Sequence, residues 1–174
     1  SGFVCVNCHS YFKGTTLDTL TFVKEFAVPE TLQWAQLAEL VRFKKNSYWI
    51  ITKIHRRSGE GEYVNEYVGL NNNQDDIYFS DGVDFTCALH TINREKVTLL
   101  PQSNTCKFSN KRYKLTYTEL LTVVYAEGFV FEDLESESTT NTYIHTINED
   151  WFISQEFIDE DVQYYQGKYL EENE

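Results

Sequence analysis

Apolar residues along this chain fall mostly into short runs in which β-branched and aromatic side chains predominate. Turn-forming residues separate these runs at positions 44–47, 57–61, 71–76 and 101–104. Because such runs bounded by turns are typical of strands in a sheet, the pattern predicts a largely antiparallel β-sheet. The predicted strands cover residues 3–6, 20–26, 48–55, 63–68, 77–79, 83–92, 96–100, 128–131 and 143–147.

Three segments show a helical spacing instead. Thr116 and Glu119 have the spacing of a capping box, and the apolar residues that follow recur at i, i+3, i+4 and i+7, which predicts a helix over residues 117–127. Two further helices are predicted over residues 29–41, where Pro29 suits a first turn, and from about residue 155 to residue 169. The predicted fold class is therefore α+β, a single domain with two or three helices beside the sheet.

A chain of 174 residues with 41% hydrophobic content is long enough for one domain with a sizeable core. Residues 136–141 contain no apolar side chain and are the best candidate for a linker. They divide a β-rich core, residues 1–135, from an aromatic C-terminal segment, residues 142–174, which we expect to pack on that core. The chain starts Ser1-Gly2 without Met, which suggests a cloning scar or a processed end.

The sequence also bears on the compartment. It contains no apolar run of membrane-spanning length and no leader sequence, so we expect no membrane association. The four Cys are not accompanied by any Asn-x-Ser/Thr glycosylation site, which favours an intracellular protein, cytoplasmic or nuclear.

Charge is distributed unevenly. Residues 1–131 hold 14 basic and 14 acidic side chains, whereas residues 132–174 hold 13 acidic side chains and Lys168 alone. The whole net charge of -12 therefore belongs to the last quarter of the chain. Such a field attracts basic partners and repels nucleic acid at long range.

Large aromatic and aliphatic residues are interleaved with these acids, unlike in a solvated acidic tail. In composition, over about 20 residues, this segment resembles those by which histone chaperones hold basic tails. The resemblance implies a non-catalytic protein-interaction module that binds a basic protein or peptide, such as a histone. The predicted partner-binding residues are Trp151, Asp159, Glu160, Asp161, Tyr164, Tyr165 and Tyr169. The other explanation is a folded segment with a solvated acidic face.

The cysteines suggest a metal site. Cys5-Val6-Asn7-Cys8 and Cys87-Ala88-Leu89-His90 each offer two soft ligands, and zinc takes four N or S ligands in a tetrahedron. Cys106 could replace His90. These pairs predict one structural zinc, with buried or free thiols as the alternative. A regular strand over residues 83–92 would turn Cys87 and His90 to opposite faces, which argues against the site.

Two other functions remain open. Three short basic clusters could together track a phosphate backbone, which would make the chain a nucleic-acid-binding regulatory domain. They comprise Arg42, Lys44, Lys45, Lys53, Arg56, Arg57, Lys111, Arg112 and Lys114. The repeated His-Thr-Ile-Asn at His90 and His145 leaves room for a hydrolase with an unrecognised His-containing site, although no catalytic motif accompanies it. We favour the non-catalytic module.

Overall fold

The structure is a computed structural model that describes residues 1–29, 35–135, 137–158 and 161–171. In these residues the regular secondary structure consists of strands and three short 3-10 turns at Leu17–Thr19, Arg94–Lys96 and Pro101–Ser103. The strands are β1 (Gly2–Val4), β2 (Ser10–Lys13), β3 (Thr21–Glu25), β4 (Leu40–Phe43), β5 (Asn46–Ser58), β6 (Tyr63–Leu70), β7 (Asp76–Asp81), β8 (Thr86–Thr91), β9 (Thr98–Leu100), β10 (Thr105–Phe108), β11 (Lys111–Val130), β12 (Thr139–Thr146), β13 (Trp151–Ile158) and β14 (Asp161–Tyr169).

Eight of these strands close into a barrel. Strands β5 to β8 and strands β11 to β14 form two antiparallel meanders, which are joined where β14 pairs with β8 and where β11 pairs with β5. The resulting order around the barrel is β5-β6-β7-β8-β14-β13-β12-β11. Closure pairs the edge strands with each other, so neither meander presents a free edge along its length.

The long strand β11 makes closure possible because its two halves serve different neighbours. Its first half pairs with β12 and β10, and its second half pairs with β5 and β1. Register shifts occur in β11 between Leu115 and Tyr117 and again between Val123 and Tyr125. Such bulges bend a strand and raise its twist, which is what a closing barrel requires.

The remaining strands cover the outside and the base of the barrel. Strands β9 and β10 extend from β11 and lie over Ile153 and Tyr164, which form an outer core with Cys106 and Tyr113. Strand β4 and the residues before it cover another outer core that contains Tyr67. Strands β1 to β3 pack beside the second half of β11 through a third buried cluster. Several barrel strands are therefore buried on their outer face as well.

The predicted α+β class is wrong, because the described residues contain no α-helix. The segment predicted as the helix 117–127 is the middle of β11. Thr116 caps no helix and instead donates its hydroxyl to the Ile144 carbonyl, 3.1 Å away on β12. The apparent helical stripe combines residues from both faces of the strand, because Tyr117 and Leu121 line the barrel interior whereas Leu120 is 44% exposed on the other face. Tertiary pairing and the Thr and Val content of the segment override the helical spacing.

The other two helices are also wrong where the structure describes them. Residues 155–169 form most of β13 and β14, which the acidic turn between them separates. Of the helix predicted over 29–41, residues 30–34 lie outside the described residues, and residues 40–43 are β4. Most of the predicted strands, by contrast, lie within a few residues of observed ones, but the strand predicted over 128–131 is only the end of β11, and β2 and β10 were not predicted. No helix in the described ranges is long and apolar enough to cross a membrane.

Candidate ligand-binding cavity

The barrel interior contains a cavity of about 540 Å³. All eight barrel strands contribute side chains to it, and along β13 these are the alternate residues Phe152, Ser154, Glu156 and Ile158. This alternation is expected for inward-facing positions of a pleated strand. An eight-stranded barrel is wide enough either to be filled by its own side chains or to hold one small molecule, and this barrel is not filled by its side chains.

A buried arginine, Arg56, lines the cavity. The Arg56 side chain is 4% exposed. Its Nε donates to a Glu66 carboxylate oxygen and one Nη donates to a Glu132 carboxylate oxygen, both at a distance of 2.6 Å. Its other Nη donates to the Thr140 hydroxyl at 3.2 Å. Although burial opposes a charged guanidinium, the two carboxylates outweigh it and raise the Arg56 pKa. Ser138 donates to the second Glu132 oxygen at 2.6 Å, so this ion network is well satisfied.

A third carboxyl in the same interior has no cation of its own. Glu156 accepts a hydrogen bond of 2.8 Å from Ser154. Desolvation, together with the nearby charge of Glu66, raises the pKa of Glu156 to about 7. Arg56 offsets this only in part, because it is already bonded to Glu66 and Glu132. Near neutral pH this carboxyl is therefore poised between its protonated and its charged form.

Aromatic rings form the wall beside Glu156. The Tyr78 and Tyr165 rings meet edge to face at 5.1 Å between centroids, and Phe152 lies 4.7 Å from Tyr169. Burial raises the Tyr165 pKa, and the charge of Glu156 raises it further. Gly167 makes room for this cluster, because a Cβ there would lie 2.1 Å from the Phe152 ring.

The cavity reaches solvent beside the turns that follow β5 and β7. These turns share one end of the barrel because β5 and β7 both run antiparallel to β6. Val83 lines the cavity and is 68% exposed. Three further lining residues are also exposed: Tyr63, Phe85 and Tyr117. Glu62, Asp84 and Glu119 lie among them, and we call these three acids the acidic rim.

Those of the predicted partner-binding residues that the structure describes do not share one surface. Tyr165 and Tyr169 line the cavity, whereas Tyr164 is buried in the outer core under β10, with its hydroxyl 3.1 Å from Gln155. Trp151 is half-buried and Asp161 is exposed. Asp159 and Glu160 lie outside the described residues. The C-terminal segment contributes β12, β13 and β14 to the barrel, and binding of a basic protein stays a prediction.

The predicted zinc ligands are dispersed. Cys5 and Cys8 flank the turn between β1 and β2, and Cys87 lines the cavity. Cys106 is buried in an outer core, and His90 is exposed on the barrel surface. Among the described residues no three His, Cys, Asp or Glu side chains form a group that could hold a metal, so the structure does not bring these five positions together. All four cysteines are free thiols.

The predicted basic patch is divided in the same way. Arg56 lies inside the barrel, and Lys53 is buried on its outer face, 2.9 Å from Glu127. The other seven positions are exposed: Arg42, Lys44, Lys45, Arg57, Lys111, Arg112 and Lys114. Basic residues that are close in sequence are therefore separated in the structure, because side chains alternate along a strand and Lys53 and Arg56 point to opposite faces of the sheet. Nucleic-acid binding stays a prediction.

The two histidines of the hydrolase alternative line no shared cleft. His90 is exposed, His145 is buried on the outer face of β12, and neither is among the residues around the cavity. Burial lowers the pKa of His145, and the nearby Gln155 side chain opposes this only in part.

His145 should make the protein sensitive to acid. The pKa of His145 is lowered in the folded state. As the pH falls below about 6.5, His145 therefore binds a proton in the unfolded chain before it does so in the native state. Stability is then present above that pH and is lost as the pH falls. For this side chain the loss should approach about 1.4 kcal/mol per pH unit below the unfolded pKa. Urea denaturation measures the free energy of unfolding at pH 7.0 and at pH 5.5. The decrease between these two values should be smaller for His145→Gln than for the wild type; equal decreases would contradict the prediction.

Sequence reasoning missed the inner acids, although the strands carried a signal for them. Glu66 stands between Val64 and Val68 at the same strand parity, and Glu156 stands between Phe152 and Ile158. An acid at the apolar parity of a strand indicates an inward carboxyl. Glu132 carried no such signal, because it follows the end of β11.

No protein-family model, curated protein or solved structure matches this chain. The fold and the site nevertheless define a class: a closed antiparallel β-barrel with an internal cavity large enough for a small molecule.

Proposed function

We propose that this protein binds a small organic molecule inside its barrel. The observation that carries the proposal is the cavity of about 540 Å³, which falls within the range of small-molecule sites. A protein interior is normally packed without voids of this size, because empty space forfeits dispersion contacts. A barrel maintained around such a space is best explained by a molecule that occupies it.

The lining supports an amphipathic ligand. Aromatic and aliphatic side chains such as Phe152 and Leu89 offer apolar area, while Ser80, Thr142 and Gln163 offer hydrogen-bonding groups at intervals. Ligand pockets commonly combine mostly apolar walls with a few polar groups that fix orientation. The exposed aromatic side chains beside the acidic rim would provide the route of entry.

The proposal includes an intracellular location, which the free thiols and the lack of glycosylation sites support. Capture of a basic protein through the acidic C-terminal segment is a second candidate function, supported by the concentration of 13 acids in residues 132–174. It is compatible with an occupied cavity, since exposed acids such as Glu149 and Asp150 do not line the cavity.

A neutral fluorescent probe tests the cavity. N-phenyl-1-naphthylamine, which brightens in apolar surroundings, should bind the purified protein in a saturable manner with about one site per chain. Thr142→Trp should abolish or strongly weaken this binding, because residue 142 lines the cavity and a large ring there occupies it. Fluorescence titration gives both the affinity and the number of sites.

The neighbouring residue provides the control. Asn141 is exposed on the same strand and is not among the lining residues, so Asn141→Trp should bind the probe as the wild type does. Circular dichroism would verify that both variants keep the wild-type strand content. Probe binding that is absent in the wild type, or equal in the two variants, would overturn the proposed function.

A further inference from the structure

We propose that the ligand is an organic cation, an amine with an aromatic or aliphatic body, whose charged nitrogen binds at Glu156 inside the barrel. This inference rests on the proposed function and specifies its ligand class. Among the described residues that line the cavity, one is basic, Arg56, and eight are acidic: Glu62, Glu66, Asp84, Glu119, Glu132, Asp133, Glu156 and Asp161.

The single base is not available to an anionic ligand. Arg56 donates to Glu66, Glu132 and Thr140 through all three of its nitrogens. A ligand carboxylate or phosphate would have to displace a buried ion pair and then face the remaining acids, which is costly in a site of low dielectric. The lining therefore selects against anions.

Of the three acids that surround Arg56 among the described cavity residues, Glu156 is the one with no ion pair to Arg56, so a ligand cation can neutralise it. Its pKa of about 7 reflects desolvation and the nearby charge of Glu66, and both penalties would fall if a cation lay beside it. Ionisable groups on the surrounding strands are Arg56, Glu66, Tyr78, Cys87 and Tyr165, with Glu132 beyond β11. Arg56 is the only cation among these groups, and it is already paired with Glu66 and Glu132.

The aromatic wall gives a second, independent indication. Tyr78 and Tyr165 lie near enough to Glu156 for its charge to raise both phenolic pKa values. Ring faces attract cations through their quadrupole, and the attraction grows when the cation is desolvated. Rings beside a carboxyl would therefore hold an ammonium and the apolar body attached to it. The acidic rim would raise the local concentration of cations at the entrance.

Three indoles of nearly equal size test the charge preference. Tryptamine carries a cation, tryptophol is neutral and indole-3-acetate is an anion. Competition against N-phenyl-1-naphthylamine, or calorimetry, should show tryptamine binding about 10- to 100-fold more tightly than tryptophol at pH 8, as expected for a charge-assisted pair in a buried site. Indole-3-acetate should bind most weakly.

Two further readouts isolate Glu156. Glu156→Gln should remove most of the preference for tryptamine while leaving tryptophol affinity within about twofold. Glu95→Gln, on an exposed turn outside the cavity, should change neither value.

In the wild type, tryptamine affinity should rise between pH 6 and pH 8, because Glu156 loses its proton over this interval, and the rise should vanish in Glu156→Gln.

The outcomes separate this inference from the proposed function. If N-phenyl-1-naphthylamine and tryptophol bind while tryptamine shows no advantage, the cation inference fails and the ligand-binding function stands. Tighter binding of indole-3-acetate would overturn the inference in the same way. If none of these probes binds, the proposed function fails, and the ligand class fails with it.

Discussion

Replacement of Arg56 by methionine should lower the free energy of unfolding by about 3–5 kcal/mol at pH 8. Methionine keeps much of the side-chain volume but leaves Glu66 and Glu132 without the cation that each contacts at 2.6 Å. Carboxylates left without a cation inside the barrel, one buried at Glu132 and one half-buried at Glu66, are costly because the barrel interior solvates charge poorly. They can relieve this cost by binding protons, so the loss should be smaller at pH 5 than at pH 8. Urea denaturation at both values measures it.

The control lies next to Arg56 in the same strand. Arg57 is exposed, so Arg57→Met should change stability by less than about 0.5 kcal/mol. Adding Glu66→Gln and Glu132→Gln to Arg56→Met should restore part of the loss, because the unpaired charges are then gone. Similar effects of the Arg56 and Arg57 substitutions, or no recovery in the triple variant, would show that the inner ion network is not what stabilises the barrel.

Gly128→Ala should cost about 3 kcal/mol of folding stability, because two separate penalties coincide at this position. Its φ of +82° is strained for any residue with a Cβ, and an added Cβ would lie 2.2 Å from the Ile51 carbonyl oxygen. Relaxation is difficult because Gly128 pairs with Val4 on one edge and with Thr52 on the other. Moving β11 away from Ile51 would therefore disturb the pairing on both sides.

Gly59 is the matched position. A Cβ there would meet no atom within 4 Å, and its φ is not in the positive range, so Gly59→Ala should be neutral or slightly stabilising. Thermal unfolding of the two variants beside the wild type measures the difference. A Gly128→Ala protein as stable as Gly59→Ala would mean that β11 is not held at the junction of β1 and β5.

The strands could be located from sequence because their signals are local. β-branched and aromatic residues bounded by turn-forming ones mark β5, β6 and β7, and the structure confirms these segments. The turn between β10 and β11 likewise follows local chemistry, with Ser109 and Asn110 both at positive φ, as a tight hairpin turn requires.

The helices were predicted wrongly for a related reason. The spacing that suggested a helix in β11 combines residues from both faces of a twenty-residue strand, since Tyr117 and Leu121 line the cavity and Leu120 is exposed on the other face. In β13 and β14 both faces are buried, one against the cavity and the other under β9 and β10, so apolar residues do not simply alternate with polar ones.

The sequence by itself determined where β5, β6, β7 and the turns between them lie and that acid is concentrated in the last quarter of the chain, because these depend on residue type and near neighbours. Only the tertiary structure decided which acids turn inward. Arg56 meets Glu132 across 76 residues of chain, and that contact exists only once β11 has paired with β5 and closed the barrel. The cavity has the same origin, since an enclosed volume is a property of the closed sheet and of no single strand.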